Sequence, residues 1–161
     1  MCRSLSQISP IAVPMAIVCM LVGCSPGTET NTLPVRGVVT YGDQPVAGAE
    51  VALIPRDSSP GVRPARGVSA SDGTFTVKTY FSPRVDDPGA QAGDYTVTVS
   101  KVEAPSGMTM EEWGEAKYRK PDSVPPLQHL VPKKYGSVRT SDLFVTVADA
   151  VVNYFELELT D

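Results

Sequence analysis

The chain predicts an all-β domain, a seven-stranded Greek-key β-sandwich with a long, partly irregular insertion before its last two strands. Three observations carry this. Short runs rich in valine and threonine alternate inward and outward residues with a period of two. Glycine (13) and proline (15) are abundant and fall between those runs. Amphipathic helical periodicity is nearly absent.

Val35–Thr40 is the first strand, and Tyr41-Gly42-Asp43-Gln44-Pro45 supplies the turn after it. Gly48–Pro55 is the second, with Val51 and Leu53 on one face. Arg56–Pro64 is a Ser/Pro/Gly loop. Gly67–Ala70 and Thr74–Thr79 flank Ser71-Asp72-Gly73, and Asp-Gly is a strong hairpin signal because glycine accepts positive φ. Phe75 and Val77 then point inward. Tyr80–Ala92, with Pro83, Asp86, Asp87 and Pro88, reads as a second loop. In Asp94–Ser100, Tyr95, Val97 and Val99 face the core and the threonines face water. Leu143, Val145 and Val147 mark the next strand, and Phe155, Leu157 and Leu159 the last. Glu156 and Glu158 keep that last strand's outer face wet.

Glu103–Arg139 breaks the rhythm, being long for a loop inside a compact domain. Thr109 and Glu112 have capping-box spacing, which predicts one or two helical turns over Thr109–Lys117, weakened by Gly114. Pro121, Pro125, Pro126 and Pro132 then favour an extended path.

The amino-terminal residues have the order of an export signal. Arg3 gives a positive end, and Ile11–Val22 is an apolar run of signal-core length, short of the ~20 residues of a membrane span. A buried helix and an uncleaved anchor are the other readings of this run. Leu21-Val22-Gly23-Cys24 resembles the bacterial lipobox. That resemblance implies residues 1–23 as a cleaved signal peptide, lipidation at Cys24, residues 24–32 as a tether and 33–161 as the sandwich domain, with the insertion at 103–139. Two or more acyl chains anchor stably where one is marginal. By the same resemblance, Ser25 after the cysteine favours the outer membrane where the cell has one.

Cleavage there removes Cys2 and Cys19, so the mature chain holds no disulfide. It also leaves too few thiols and imidazoles for a zinc or redox site. Arg3 is the only charged side chain removed, leaving 13 Lys+Arg against 18 Asp+Glu. An acidic domain of this kind argues against nucleic acid as a partner.

Val35-x-Gly37-x-Val39, Gly42-x-x-Pro45-Val46-x-Gly48-Ala49-x-Val51, Ser71-Asp72-Gly73-x-Phe75 and Ala92-Gly93-Asp94-Tyr95-x-Val97-x-Val99 together resemble carboxypeptidase regulatory-like domains. These are sandwiches of the transthyretin-like, prealbumin type. Leu130-Val131-Pro132-x-Lys134-Tyr135 and Thr140-Ser141-x-Leu143 extend the resemblance to small bacterial lipoproteins built on that domain. It implies a fold and a structural or protein-interaction role in the cell envelope, with no cofactor and no reaction. Ala70-Ser71-Asp72-Gly73 departs from the family's usual Thr-Asp-x-x-Gly turn. The related hydroxyisourate hydrolases and intradiol dioxygenases need several histidines, and this chain has one, His129.

Two alternatives stand beside the structural role. Trp113, Tyr118 and Tyr135 in a Lys-rich insertion are candidates for a glycan- or small-ligand-binding surface; pinning the insertion to the sandwich is their more ordinary use. A hydrolase would use His129 with a carboxylate brought close by folding. Asp86-Asp87 lacks the ligand spacing of a calcium loop.

Phe75, Tyr95, Val97, Val145, Phe155 and Leu157 are expected to meet between the sheets. Truncating a core phenylalanine costs ~3–5 kcal/mol. Phe75→Ala or Phe155→Ala should therefore lower the melting temperature sharply, and Thr96→Ala or Thr98→Ala should change it little.

Overall fold

A computed structural model describes residues 31–57, 61–83, 85–105 and 107–161. Its strands are β1 Thr32–Leu33, β2 Val35–Tyr41, β3 Gln44–Pro45, β4 Glu50–Pro55, β5 Ala65–Val68, β6 Thr74–Thr76 and β7 Lys78–Ser82. They continue with β8 Val85–Pro88, β9 Ala90–Gln91, β10 Gly93–Ser100, β11 Val102–Glu103, β12 Gln128–His129, β13 Phe144–Val147 and β14 Asn153–Leu159. One helix, α1, spans Met110–Arg119.

Two sheets enclose one core. The larger has the order β13-β10-β4-β5-β7-β8, and the smaller joins β14, β2 and β3, with β6 also paired to β2. The expected alternation holds in the strands that matter most. Val51, Leu53, Phe75, Val77, Tyr95, Val97, Val99, Leu157 and Leu159 are buried in one cluster, and Val145 and Phe155 pack against it half-buried. The smaller sheet is mixed, because β14 lies parallel to β2 from Asn153↔Val35 to Leu159↔Tyr41. Gly37 sits where Phe155 and Phe75 flank β2 in register. A Cβ there would lie 2.3 Å from the Phe155 carbonyl oxygen and 2.6 Å from the Phe75 ring, so only glycine fits.

The predicted turns are present. Gly42 and Asp43 both adopt positive φ, +55° and +61°, which closes a two-residue hairpin between β2 and β3 with the right twist. At Ser71-Asp72-Gly73, the Ala70 N–H donates to the Thr74 carbonyl at 2.7 Å. The arm after this turn does more than its sequence suggested. Its start, β6, joins the smaller sheet through β2, and its continuation, β7, joins the larger through β5.

Two expectations are corrected. Tyr80–Ala92 is not a loop: β7 runs to Ser82, and β8 and β9 follow. Asp86, Asp87 and Pro88 have weak strand propensity, but β8 is an edge strand, where proline and charge are tolerated. The strand segments therefore outnumber seven. Thr96 does not face water. It is 5% exposed, paired between Ile54 and Phe144 on the outer face of the larger sheet. Arg56 also lies 4.7 Å over the Phe144 ring. Thr32, next to the expected domain start, pairs with Gln91.

Buried polar side chains hold the corners. Ser69 Oγ accepts from Ala49 N–H at 2.8 Å and donates to the Val46 carbonyl at 2.6 Å. Thr79 Oγ1 donates to the Gly89 carbonyl at 2.8 Å, and Ser141 Oγ to the Val97 carbonyl. Surface ion pairs such as Arg66–Glu50 at 3.1 Å are exposed and contribute little by comparison. Ser69→Ala strands one buried donor and one buried acceptor. It should cost about 1–3 kcal/mol in urea unfolding, while the exposed Thr76→Ala should leave the midpoint unchanged.

Candidate functional site

Strand direction gives the sandwich two distinct poles. β4, β7 and β13 run toward one of them, and β2, β5, β8, β10 and β14 run away from it. At this first pole the described chain arrives through Thr32–Val35. The other pole carries the β2–β3 turn and the insertion, which leaves from the end of β10 at Ser100.

The insertion closes at its neck. β11 and β12 pair antiparallel, Val102↔His129 and Glu103↔Gln128, and Leu130 N–H donates to the Lys101 carbonyl at 2.9 Å. Between these strands lies α1. Thr109 caps it, and the capping box is complete: Glu112 N–H donates to Thr109 Oγ1 at 3.2 Å, and Thr109 N–H donates to Glu112 Oε2 at 2.8 Å. The backbone bond from Thr109, then its side chain, hold the Glu112 carboxyl below the usual range. Glu111 and Glu112 in the first turn and Lys117 and Arg119 in the last suit the helix dipole. The helix therefore crosses Gly114 and runs for ten residues, longer than the one or two turns expected, and it buries no side chain.

The three candidate aromatic residues are not brought to one surface. Trp113 is half-buried, and its Nε1–H donates to the Pro125 carbonyl at 2.8 Å, fastening α1 to the proline-rich return. Tyr118 is 91% exposed. Tyr135 is 1% exposed and belongs to the sandwich core. Its hydroxyl accepts from Thr160 N–H at 3.0 Å and donates to the Thr160 carbonyl at 3.2 Å. Lys134 Nζ reaches the Asp161 carbonyl oxygen at 3.1 Å, and Tyr41 OH donates to Asp161 Oδ1 at 2.7 Å. Tyr135 thus pins the insertion, as Val131 does beside it, both being core residues. The physical reason is position: Lys133–Gly136 forms a 3₁₀ turn after the neck, which packs against β10 rather than with α1.

A cleft of about 470 Å³ opens between α1 and the return, lined by Met108, Glu115, Ala116, Arg119, Val124 and Pro125 among others. Met108, Ala116, Val124 and Pro125 make its apolar wall, and Glu112, Lys120, Ser123 and the Arg119–Glu115 pair at 3.3 Å make its polar side. Of the aromatic candidates, Trp113 borders this region through its bond to Pro125 and does not line the cleft itself.

The remaining candidates stand apart. His129 is exposed in β12, and among the described residues none of the ion pairs includes it. Asp86 pairs with Lys78 at 3.1 Å. Among the described residues no three His, Cys, Asp or Glu side chains gather as metal ligands. Cys24 lies outside the described residues. Among those described, no helix is long and apolar enough to cross a membrane.

Sequence reasoning passed over the Ala148–Val152 turn between β13 and β14. Asn153, buried, ties it down: its Oδ1 accepts from Ala148 N–H at 3.0 Å, and its Nδ2 donates to the Ala148 carbonyl at 3.1 Å. Asn153 N–H donates to the Pro34 carbonyl at 2.9 Å, so the turn sits beside the arriving chain. Two adjacent valines outside the period-2 pattern were the available signal.

Compared with known proteins, the chain matches no family model, no curated protein and no solved structure. Tyr135→Phe removes the bonds to Thr160 and should lower stability by about 1 kcal/mol or more, read as a drop in melting temperature. Tyr118→Ala should not move it.

Proposed function

We propose that the chain is an envelope lipoprotein, tethered through acylated Cys24, whose sandwich is a non-catalytic structural or protein-interaction module. The outer membrane is its site where the cell has one. The observation that carries this reading is polarity. The chain arriving from the Cys24 side enters at one pole, and the insertion leaves from the other. A protein anchored at the first pole presents the second to the space beyond the membrane. That insertion pole holds exposed Tyr118 and Arg119, residue types enriched where protein partners meet.

The finer fold belongs to the same proposal. In the larger sheet β10 returns beside β4, the first of the neighbouring strands β4, β5, β7 and β8, which supports a Greek key. With the motif resemblance, it supports the transthyretin-like, carboxypeptidase regulatory-like assignment.

A second reading is favoured by the cleft beside α1: binding of an envelope glycan or small ligand there. Glycan binding by the full chain in detergent, lost on closing the cleft with Ala116→Trp, would favour it. The hydrolase reading has no observation in its favour.

Labelling with a palmitate analogue should mark the wild-type chain and leave Cys24→Ala unmarked. Equal labelling would remove the anchor. Crosslinking in intact cells should then join the insertion, through a photoreactive residue at 118, to an envelope protein. Absence of adducts at 118, with adducts only at the opposite pole, would overturn the proposed orientation.

A further inference from the structure

The pole where the chain arrives carries an exposed apolar tip. Val151 is 92% exposed and Val152 43%, at the crest of the turn held by Asn153. Nothing in strand alternation requires two valines there: β13 ends at Val147, β14 begins at Asn153, and Asp149 precedes them. The same pole includes the start of β8, where Val85 is exposed, and the end of β4.

The tether limits what can cover this tip. Eight peptide steps separate Cys24 from Thr32, a reach of about 28 Å at full extension. β10, running from pole to pole over Gly93–Ser100, is itself about 24 Å long at the rise of an extended strand. A Cys24 held at a bilayer thus keeps the arriving pole within about 28 Å of the lipid surface, little more than the length of β10. The Asn153–Pro34 bond of 2.9 Å fixes Val151 and Val152 next to the point where the tether joins the fold.

We propose that this pole rests on the lipid surface, with Val151 and Val152 entering the interface as a second contact that orients the domain and points the insertion outward. The inference rests on the lipid-anchor reading and adds to it. The pole's charges are mixed, Arg56 and Arg63 against Asp57 and Asp149, all exposed. The contact is therefore apolar burial rather than attraction to anionic headgroups, and it is insensitive to salt and to lipid charge.

The test uses the full chain, extracted from membranes and reconstituted in vesicles of phosphatidylcholine, or of phosphatidylethanolamine with phosphatidylglycerol. An environment-sensitive fluorescent residue replaces Val151, or Glu158 near the far pole as control. Acylation is read by the palmitate analogue and membrane association by flotation. The expected result is an acylated, floating chain whose emission at 151 shifts blue and is quenched by nitroxide lipids, alike in both lipids and at high salt. The probe at 158 stays in water. An acylated, floating chain with both probes in water overturns this contact and leaves the anchor standing. A chain neither acylated nor floating overturns both. A blue shift at 151 without vesicles places a protein, or a second copy of this chain, on the tip and overturns the lipid contact.

Discussion

Val35–Tyr41 and Asn153–Leu159 lie side by side in parallel over their whole length, and the rest of the domain is arranged around that ladder. It joins strands far apart in sequence, so its closure carries a loop-entropy cost that local contacts do not. Its inner residues, Val35, Val39, Leu157 and Leu159, form one wall of the core. Gly37 is the position that lets the ladder pack: it clears the backbone of Phe155 and leaves the Phe75 ring its place. The register also decides polarity, because pairing Asn153 with Val35 brings the β13–β14 turn to the arriving chain.

Hydrogen-bonding side chains complete what the apolar core begins. Ser69, Thr79, Ser141 and Asn153 are each buried and each bonded to backbone groups of another segment. Backbone leaving a sheet at a corner loses its ladder partners, and burial without replacements is costly. These four side chains supply replacements at the corners, so strands can change sheet without stranding polar groups. Among the described residues, every buried side-chain nitrogen and oxygen has a partner.

The insertion divides into two parts with different physics. The stretch from Lys133 to Ser141 is integral to the sandwich through Tyr135 and Ser141. The lobe between β11 and β12 is held by its neck, by the capping box and by the Trp113–Pro125 bond. A helix with no buried side chain, outside the core, has little reason to be there for stability alone. Its placement opposite the arriving chain is what gives the proposed interaction role a surface to act through.

Much of the fold was legible in the residues because it depends on local chemistry. Alternation at 95–99 and 155–159, the turns at Gly42-Asp43 and Asp72-Gly73, and the Thr109–Glu112 box all follow from neighbours in sequence. The all-β class follows too. What the tertiary structure decided were relations between distant segments. Edge position made strands of Asp86–Pro88 against their propensity, and flanking Ile54 and Phe144 buried Thr96. Core packing drew Tyr135 away from Trp113 and Tyr118, so the candidate aromatic surface is not assembled. The same long-range pairing of first and last strands set Val151 and Val152 beside the arriving chain. Periodicity reports which way a side chain points from its own strand; which surface it meets is fixed by partners that lie elsewhere in the chain.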